Sequence, residues 1–414
     1  MGANTNDKGN KRQRGESYGE KVKASKVRKE STATDAKPRK PARKAAPKPQ
    51  FTKEIIKQDL KENLAEAEYI IEDGLRKIKP YFFKHQTFAK GRWVGRSILD
   101  VFSHEFRDRS AEYYRKAIDE GKITINQEKV QPSTRIGENA FISHYSPRDE
   151  PSIAAKPIKI IEQDENILVV DKPASIPVHP TGRYSLNTLT NILKKEKDLT
   201  ALYPVNRLDR LTSGIVILAL TRGKAQEMET LMQNREMYKE YVCQVIGEFP
   251  EGEITVDEKI ETISHKLGIN AVTPKGKECK TTFERIHFNG KTSLVRCKPE
   301  TGRTHQIRVH LQYLGHPIAN DPIYANKEMW GPELGEDGLG EEALQLVLNK
   351  FEEKGKLEES NDSLKKCPDC DFPESEEPKP EEMCIWLHAL KYQCQDWTYE
   401  TEMPAWAREL NGDF

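Results

Sequence analysis

The 414-residue chain predicts an α+β fold, on three observations. From Lys159 onward, short β-rich runs such as Ile167-Leu-Val-Val170 and Tyr241-Val-Cys-Gln-Val-Ile246 alternate with helical and Gly- or Pro-marked stretches. One run, Ile215-Val-Ile-Leu218, is apolar at every position, as in a strand buried on both faces. Residues 1–50, by contrast, carry almost no large apolar side chain and cannot offset the entropy of folding.

In chain order, residues 1–50 hold 15 Lys and Arg against 5 Asp and Glu and are expected to form a disordered basic arm. Phosphate contacts supply most sequence-independent affinity for nucleic acid, so such an arm suits a polyanion. Arms of this kind also serve as solubilising or address segments, and Lys37-Pro-Arg-Lys40 fits a nuclear address. Residues 51–90 read as a partly helical extension. Next, Ile98, Leu99, Phe102 and Phe106 fall at helical spacing, and a second helix over Ala111 to Glu120 starts at Ser110 and stops at Gly121. Ile123 and Ile125 open a hairpin that turns over Asn126-Gln127-Glu128 and returns near Val130. Pro147, Pro151 and Pro157 mark residues 146–158 as a linker. The body spans 159–326 and resumes over 383–414. Between them lies an acidic insertion, 327–382, with 18 acidic and 7 basic side chains, expected to be largely exposed apart from a helix around Ala343 to Phe351.

Composition excludes several classes. Seven cysteines, odd in number and unevenly spread, do not form a secreted disulfide framework, and they point to a reducing, intracellular compartment. No run approaches the roughly 18 apolar residues that cross a bilayer, which sets a membrane role aside. Asp7, Glu16 and Glu20 argue against a mitochondrial presequence, so the expected location is the cytoplasm, with the nucleus second. Cys367-Pro-Asp-Cys370 has the pair spacing of a zinc site, but Cys384 and Cys394 lie ten apart around an expected core strand, so reduced thiols are the expectation and no metal is assigned.

The chemistry-bearing stretch is Val205-Asn-Arg-Leu-Asp-Arg-Leu-Thr-Ser-Gly214, directly before the buried strand. Its one carboxylate, Asp209, stands between two arginines, which favour the ionised form and hence a nucleophile over a proton donor. A salt-bridged loop aspartate would look the same in isolation. Three other segments join it: Asp164-Glu-Asn-Ile-Leu-Val-Val-Asp-Lys-Pro173 with Pro177-Val-His-Pro180, Lys239-Glu-Tyr241 opening a strand that ends at Gly247, and Thr301-Gly-Arg-Thr-His-Gln-Ile-Arg-Val-His-Leu311 with Gly315-His-Pro-Ile318 and Asp321. In type, order and separation these resemble the RluA family of pseudouridine synthases over residues 159–326, and again at Trp386-Leu-His-Ala-Leu390. The helix-hairpin unit over 91–145 resembles the S4 RNA-binding domain by order and spacing.

The resemblance implies a pseudouridine synthase fold: a mixed, largely antiparallel sheet with flanking helices and a central cleft, plus a small S4-like module. It implies isomerisation of uridine in RNA with no cofactor or metal. The family's catalytic aspartate falls on Asp209, its base-flipping arginine on Arg207, the tyrosine that stacks on the uracil and is proposed to take the C5 proton on Tyr241, and the arginine that pairs with the carboxylate on Arg308. Arg303, His305, Gln306, Lys239 and Lys172 are expected to shape the loops or contact phosphate. One departure stands out: most relatives have His before Arg-Leu-Asp, and this chain has Asn206. The extension, the insertion and Trp397-Thr-Tyr399 resemble the eukaryotic branch that modifies tRNA at position 32, with ribosomal RNA the alternative. An RNA-binding protein without turnover is the competing class, and a monomer is expected.

Overall fold

The computed structural model describes residues 61–106, 109–265, 267–359 and 377–411. The basic arm, Cys367 and Cys370 lie outside the described residues. Nineteen strands, β1 to β19 in chain order, are described together with the helices between them.

The first strands are β1 (Tyr69–Glu72), β2 (Leu75–Ile78) and β3 (Tyr81–Phe88). Next come the helices Ile98–Glu105 and Ala111–Asp119, whose first backbone N–H groups are capped by Ser97 and Ser110. β4 (Ile123–Ile125) and β5 (Glu128–Lys129) form a hairpin around Asn126 and Gln127, both at positive φ. The return strand therefore begins at Glu128, two residues before the expected Val130, because the turn needs only two residues. β6 (Phe141–Arg148) pairs with β4 on one side and with β3 along its whole length on the other. The expected 91–145 unit thus takes its long outer strand from residues 81–88, outside the expected boundary. Its core is Trp93, Val101, Phe102, Tyr114, Ile118 and Ile136.

The linker expected at 146–158 is built into the fold. β6 runs through Pro147 to Arg148, and β7 (Ile153–Ala154) pairs with β2. Between them the Glu150 carboxylate, 4% exposed, accepts the backbone N–H groups of Ser185, Leu186 and Asn187 and the Tyr81 hydroxyl. A buried carboxylate satisfied this way fixes the chain that carries it.

The remaining strands are β8 (Lys159–Gln163), β9 (Ile167–Lys172), β10 (Tyr203–Pro204), β11 (Ser213–Ala219), β12 (Tyr238–Ile246), β13 (Glu253–Val256), β14 (Ile260–Ser264), β15 (Ile269–Val272), β16 (Thr281–Phe288), β17 (Thr292–Pro299), β18 (Leu387–Gln393) and β19 (Thr398–Glu400). Eight of them run in the order β13-β16-β17-β12-β18-β11-β9-β8, with β10 on β11 and β19 on β18. Every pairing is antiparallel except β11 with β18. The apolar run in β11 sits in this sheet with Ile215, Val216, Ile217 and Leu218 fully buried. At roughly 1.5–3 kcal/mol for each buried aliphatic side chain, it is a rigid support for the loop that precedes it.

Most described residues of the acidic insertion are exposed, but a few apolar ones are not. Met329, Trp330, Leu334, Leu344 and Val347 are buried in one cluster with Val309 and Tyr324, and the helix over Glu341–Glu359 is longer than the stretch expected. Its few apolar residues are spaced to cover the back of the helix Gln306–Tyr313.

Candidate active site

Asp209 lies in the loop between β10 and β11, and three anchors hold that loop. Asn206 accepts the N–H of Ile217 on Oδ1 (2.8 Å) and donates from Nδ2 to the carbonyl of Ile215 (3.0 Å). The Asp209 carbonyl accepts the N–H of Thr212 (3.1 Å). Gly214, at φ 109°, passes so close to β18 that a Cβ there would meet the carbonyl oxygen of Ala389 at 2.3 Å. The departure at Asn206 thus has a structural use, since one amide meets two backbone groups of the supporting strand.

Arg308, on the helix Gln306–Tyr313, bridges two carboxylates. Its Nε and Nη2 form a fork on Asp321 (2.6 and 2.9 Å), and Nη1 reaches Oδ2 of Asp209 at 3.2 Å. Asp321 is itself held by the N–H groups of Ile323 and Tyr324. His305 Nε2 stands 3.6 Å from the same Asp209 oxygen, while its Nδ1 lies 2.9 Å from the Tyr324 hydroxyl. His305 sits in the left-handed region (φ 58°) at the start of that helix, where a side chain costs conformational energy unless neighbours hold it. Burial pushes the Asp209 carboxyl up, but His305, Arg308 and Lys172 together outweigh it and hold it below the usual carboxylate range. It is therefore ionised at neutral pH.

Tyr241 enters from β12, where the register against β18 shifts between Glu240 and Tyr241. Such a bulge re-aims a side chain. Its ring lines an inner recess of about 110 Å³ with Arg207, Asp209, Arg303, His305 and Arg308. An outer cleft of about 600 Å³ shares Arg207, Asp209, His305 and Arg308 and adds His179 and the β14–β15 hairpin. A volume in this range accommodates a nucleoside-sized ligand. Arg207 is exposed at the rim, and Arg303, also exposed, donates to the carbonyl of Glu278 (3.2 Å). Gln306 is buried and braces the loop by accepting from Thr301 Oγ1 and the N–H of Arg303.

Of the two expectations for the lysines, loop shaping or phosphate contact, the hydrogen bonds of both fit the first. Lys172 is completely buried, and its Nζ donates to the carbonyls of Pro173, Ile176 and Arg210. Burial lowers its pKa to about 7. With no exposed atom it cannot meet a phosphate, and it instead braces the underside of the Asp209 loop. Lys239 is partly buried, donates to the carbonyl of Thr301 (3.2 Å), and is lowered by burial to about 8. Asp321, Tyr324 and Tyr392 were assigned no role from sequence. Asp321 lay inside the quoted Gly315–Asp321 segment, but its function depends on a fold that returns it to Arg308.

Among the described residues, no group of three or more His, Cys, Asp or Glu is placed to hold a metal, and no helix is long and apolar enough to cross a membrane. Cys384 and Cys394 are free thiols.

An ionised aspartate, an arginine that holds it, a tyrosine in the recess and an exposed arginine at the rim share one cleft of nucleoside size. Comparison with known proteins agrees: residues 166–313 match the family described as RNA pseudouridylate synthase. The chain belongs to the RNA pseudouridine synthases, isomerases that convert uridine to pseudouridine in RNA. It is 46% identical over 367 residues to the tRNA pseudouridine(32) synthase, mitochondrial, of Saccharomyces cerevisiae, covering 83% of this chain and 79% of that protein. Against human pseudouridylate synthase RPUSD2 it is 38% identical, covering 84% and 76%. The tRNA pseudouridine(31) synthase of S. cerevisiae is 32% identical, covering 82% and 97%.

Proposed function

We propose that the RNA substrate is tRNA and that position 32 of the anticodon loop is the target. The observation that carries the catalytic part is the Asp321–Arg308–Asp209 bridge at the floor of a cleft with Arg207 at its mouth. Asp209 attacks the bound uridine, Arg308 keeps it ionised and aimed, Tyr241 stacks on the uracil, and Arg207 takes the place of the extruded base. Arg303 and His305 line the phosphate path. The unit of β3 to β6 with its two helices is an S4-like RNA-binding module, and the basic arm adds non-specific grip. The protein acts as a monomer.

Position 32 is supported by the relative named for it at 46% identity, against 32% for the relative named for position 31. The first of these is named as mitochondrial. We place this chain in the cytoplasm, with the nucleus second, on the acidic residues within its arm. Fluorescent tagging of the chain carrying its own N-terminus decides: a purely mitochondrial signal refutes this placement.

The substrate is tested by mapping pseudouridine across total RNA from cells lacking the protein, rescued with the natural chain or Asp209→Ala. Loss at tRNA position 32, restored by the natural chain alone, is the expected outcome. Loss confined to ribosomal RNA refutes the tRNA assignment.

A further inference from the structure

The hydroxyl of Tyr241 does not stand alone in the recess. It lies 2.5 Å from the hydroxyl of Tyr392 on β18, and Nδ2 of Asn206 donates to that same Tyr392 oxygen at 3.1 Å. Asn206 is 5% exposed and Tyr392 1%. The three residues come from the loop before β11, from β18 and from β12.

The direction of this chain follows from counting hydrogens. The Asn206 amide cannot be turned over, because its oxygen takes the N–H of Ile217 and its nitrogen gives one hydrogen to the carbonyl of Ile215. The second hydrogen goes to Tyr392. Among the described residues the Tyr392 hydroxyl meets only Asn206 and Tyr241. If Tyr241 donated to Tyr392, the Tyr392 oxygen would accept twice and its own hydrogen would be buried with no acceptor, which costs free energy. Tyr392 therefore donates to Tyr241, and the hydrogen of Tyr241 is left to point into the recess beside Asp209. Both phenols are neutral at ordinary pH, since burial pushes Tyr241 well above its usual value and Tyr392 up to about 12.

We propose that Asn206 and Tyr392 are positioning residues that set the donor direction of the chain Asn206→Tyr392→Tyr241 and so fix the orientation in which the Tyr241 hydroxyl meets the uracil. This rests on the reading that Tyr241 contacts the uracil. It also gives a second use to asparagine where most relatives carry histidine. The Asn206 amide holds the Asp209 loop on β11 and orients the tyrosine on the opposite wall, so that both sides of the recess share one anchor.

Single-turnover conversion of a uridine-containing tRNA, measured at saturating enzyme beside the RNA dissociation constant, tests this with four variants. Tyr392→Phe keeps the ring and removes the donor, and is expected to slow conversion roughly tenfold with RNA affinity unchanged. Asn206→Asp keeps the acceptor for Ile217 but puts an oxygen where Nδ2 gave hydrogens to both Tyr392 and the Ile215 carbonyl, so the Tyr392 hydrogen turns toward it, the chain reverses and the loop loses one anchor. It is expected to be slower still, by about a hundredfold. A role in packing alone predicts no loss in Tyr392→Phe, which leaves both loop anchors of Asn206 in place. If Tyr392→Phe loses its cooperative thermal melt, Asn206→Ser carries the same comparison without touching the ring. Tyr241→Phe separates the two levels of argument. If it is inactive while Tyr392→Phe turns over at the natural rate, the relay is overturned and the reading of Tyr241 stands. If Tyr241→Phe itself converts uridine at the natural rate, that reading fails and the relay fails with it.

Discussion

Asp209 depends on a charge balance that extends one residue further than its immediate partner. Arg308 is divided between Asp209 and the fully buried Asp321, and the fork on Asp321 leaves one nitrogen in line with the catalytic oxygen. Arg308→Met strands Asp321 without its cation, and removing one partner of a buried pair costs about 3–5 kcal/mol. Denaturant unfolding is expected to show that loss together with loss of turnover. Lys172 makes a second, pH-dependent prediction. In the unfolded chain it holds its proton to its usual 10.5, but in the fold only to about 7. Between these values the unfolded state binds more protons, so this group makes stability rise with pH from about 7 toward 10.5 and fall as pH drops back through 7. In Lys172→Met that contribution disappears, and urea unfolding at pH 7, 8 and 9 should show a flatter pH dependence than the natural chain. The role of Asp209 as the sole acid between two arginines was legible in the sequence. That of Lys172 was not, because one of its three acceptors, Arg210, lies 38 residues away and only the folded β9 brings them together.

Elements place these side chains through a few close approaches. β11 and β18 are parallel neighbours for two residue pairs, Ser213 with His388 and Gly214 with Ala389, and that contact seats the catalytic loop against the strand bearing Tyr392. Gly214→Ala combines a positive φ with a backbone clash at 2.3 Å, so β18 has to move. A cost of about 1–3 kcal/mol or more is expected in thermal melting, with turnover falling further than stability because the loop shifts with the strand. The apolar and alternating runs made β9, β11 and β12 readable, since burial on a sheet leaves a local pattern. Two elements misled for the converse reason. The prolines of 146–158 signalled a linker, but the partners of Glu150 lie about 35 residues on at Ser185 to Asn187. The acidic excess of 327–382 signalled solvent, as most of its described residues are exposed, but net charge conceals the handful of apolar residues, Trp330 and Leu344 among them, that are buried.

Over the whole molecule, a strongly basic arm is balanced by a remainder that carries a net excess of ten negative charges. Deleting residues 1–50 removes a net excess of ten positive charges, so RNA binding should weaken and its dependence on salt should become shallower, while conversion at saturating RNA stays the same. An unchanged salt slope would remove the arm from the RNA interface. The family and its catalytic loop were readable at this scale because the motifs are contiguous. The edge strand at 81–88 was not, because it completes a sheet whose other strands begin some forty residues later. The central claim is that Asp209 carries the chemistry and not the grip on RNA. Conversion of a uridine-containing tRNA by purified natural chain and by Asp209→Asn tests it most directly. The variant should bind RNA within about twofold of the natural chain and convert it at least about a thousandfold more slowly; pseudouridine formed by Asp209→Asn at the natural rate would contradict the account.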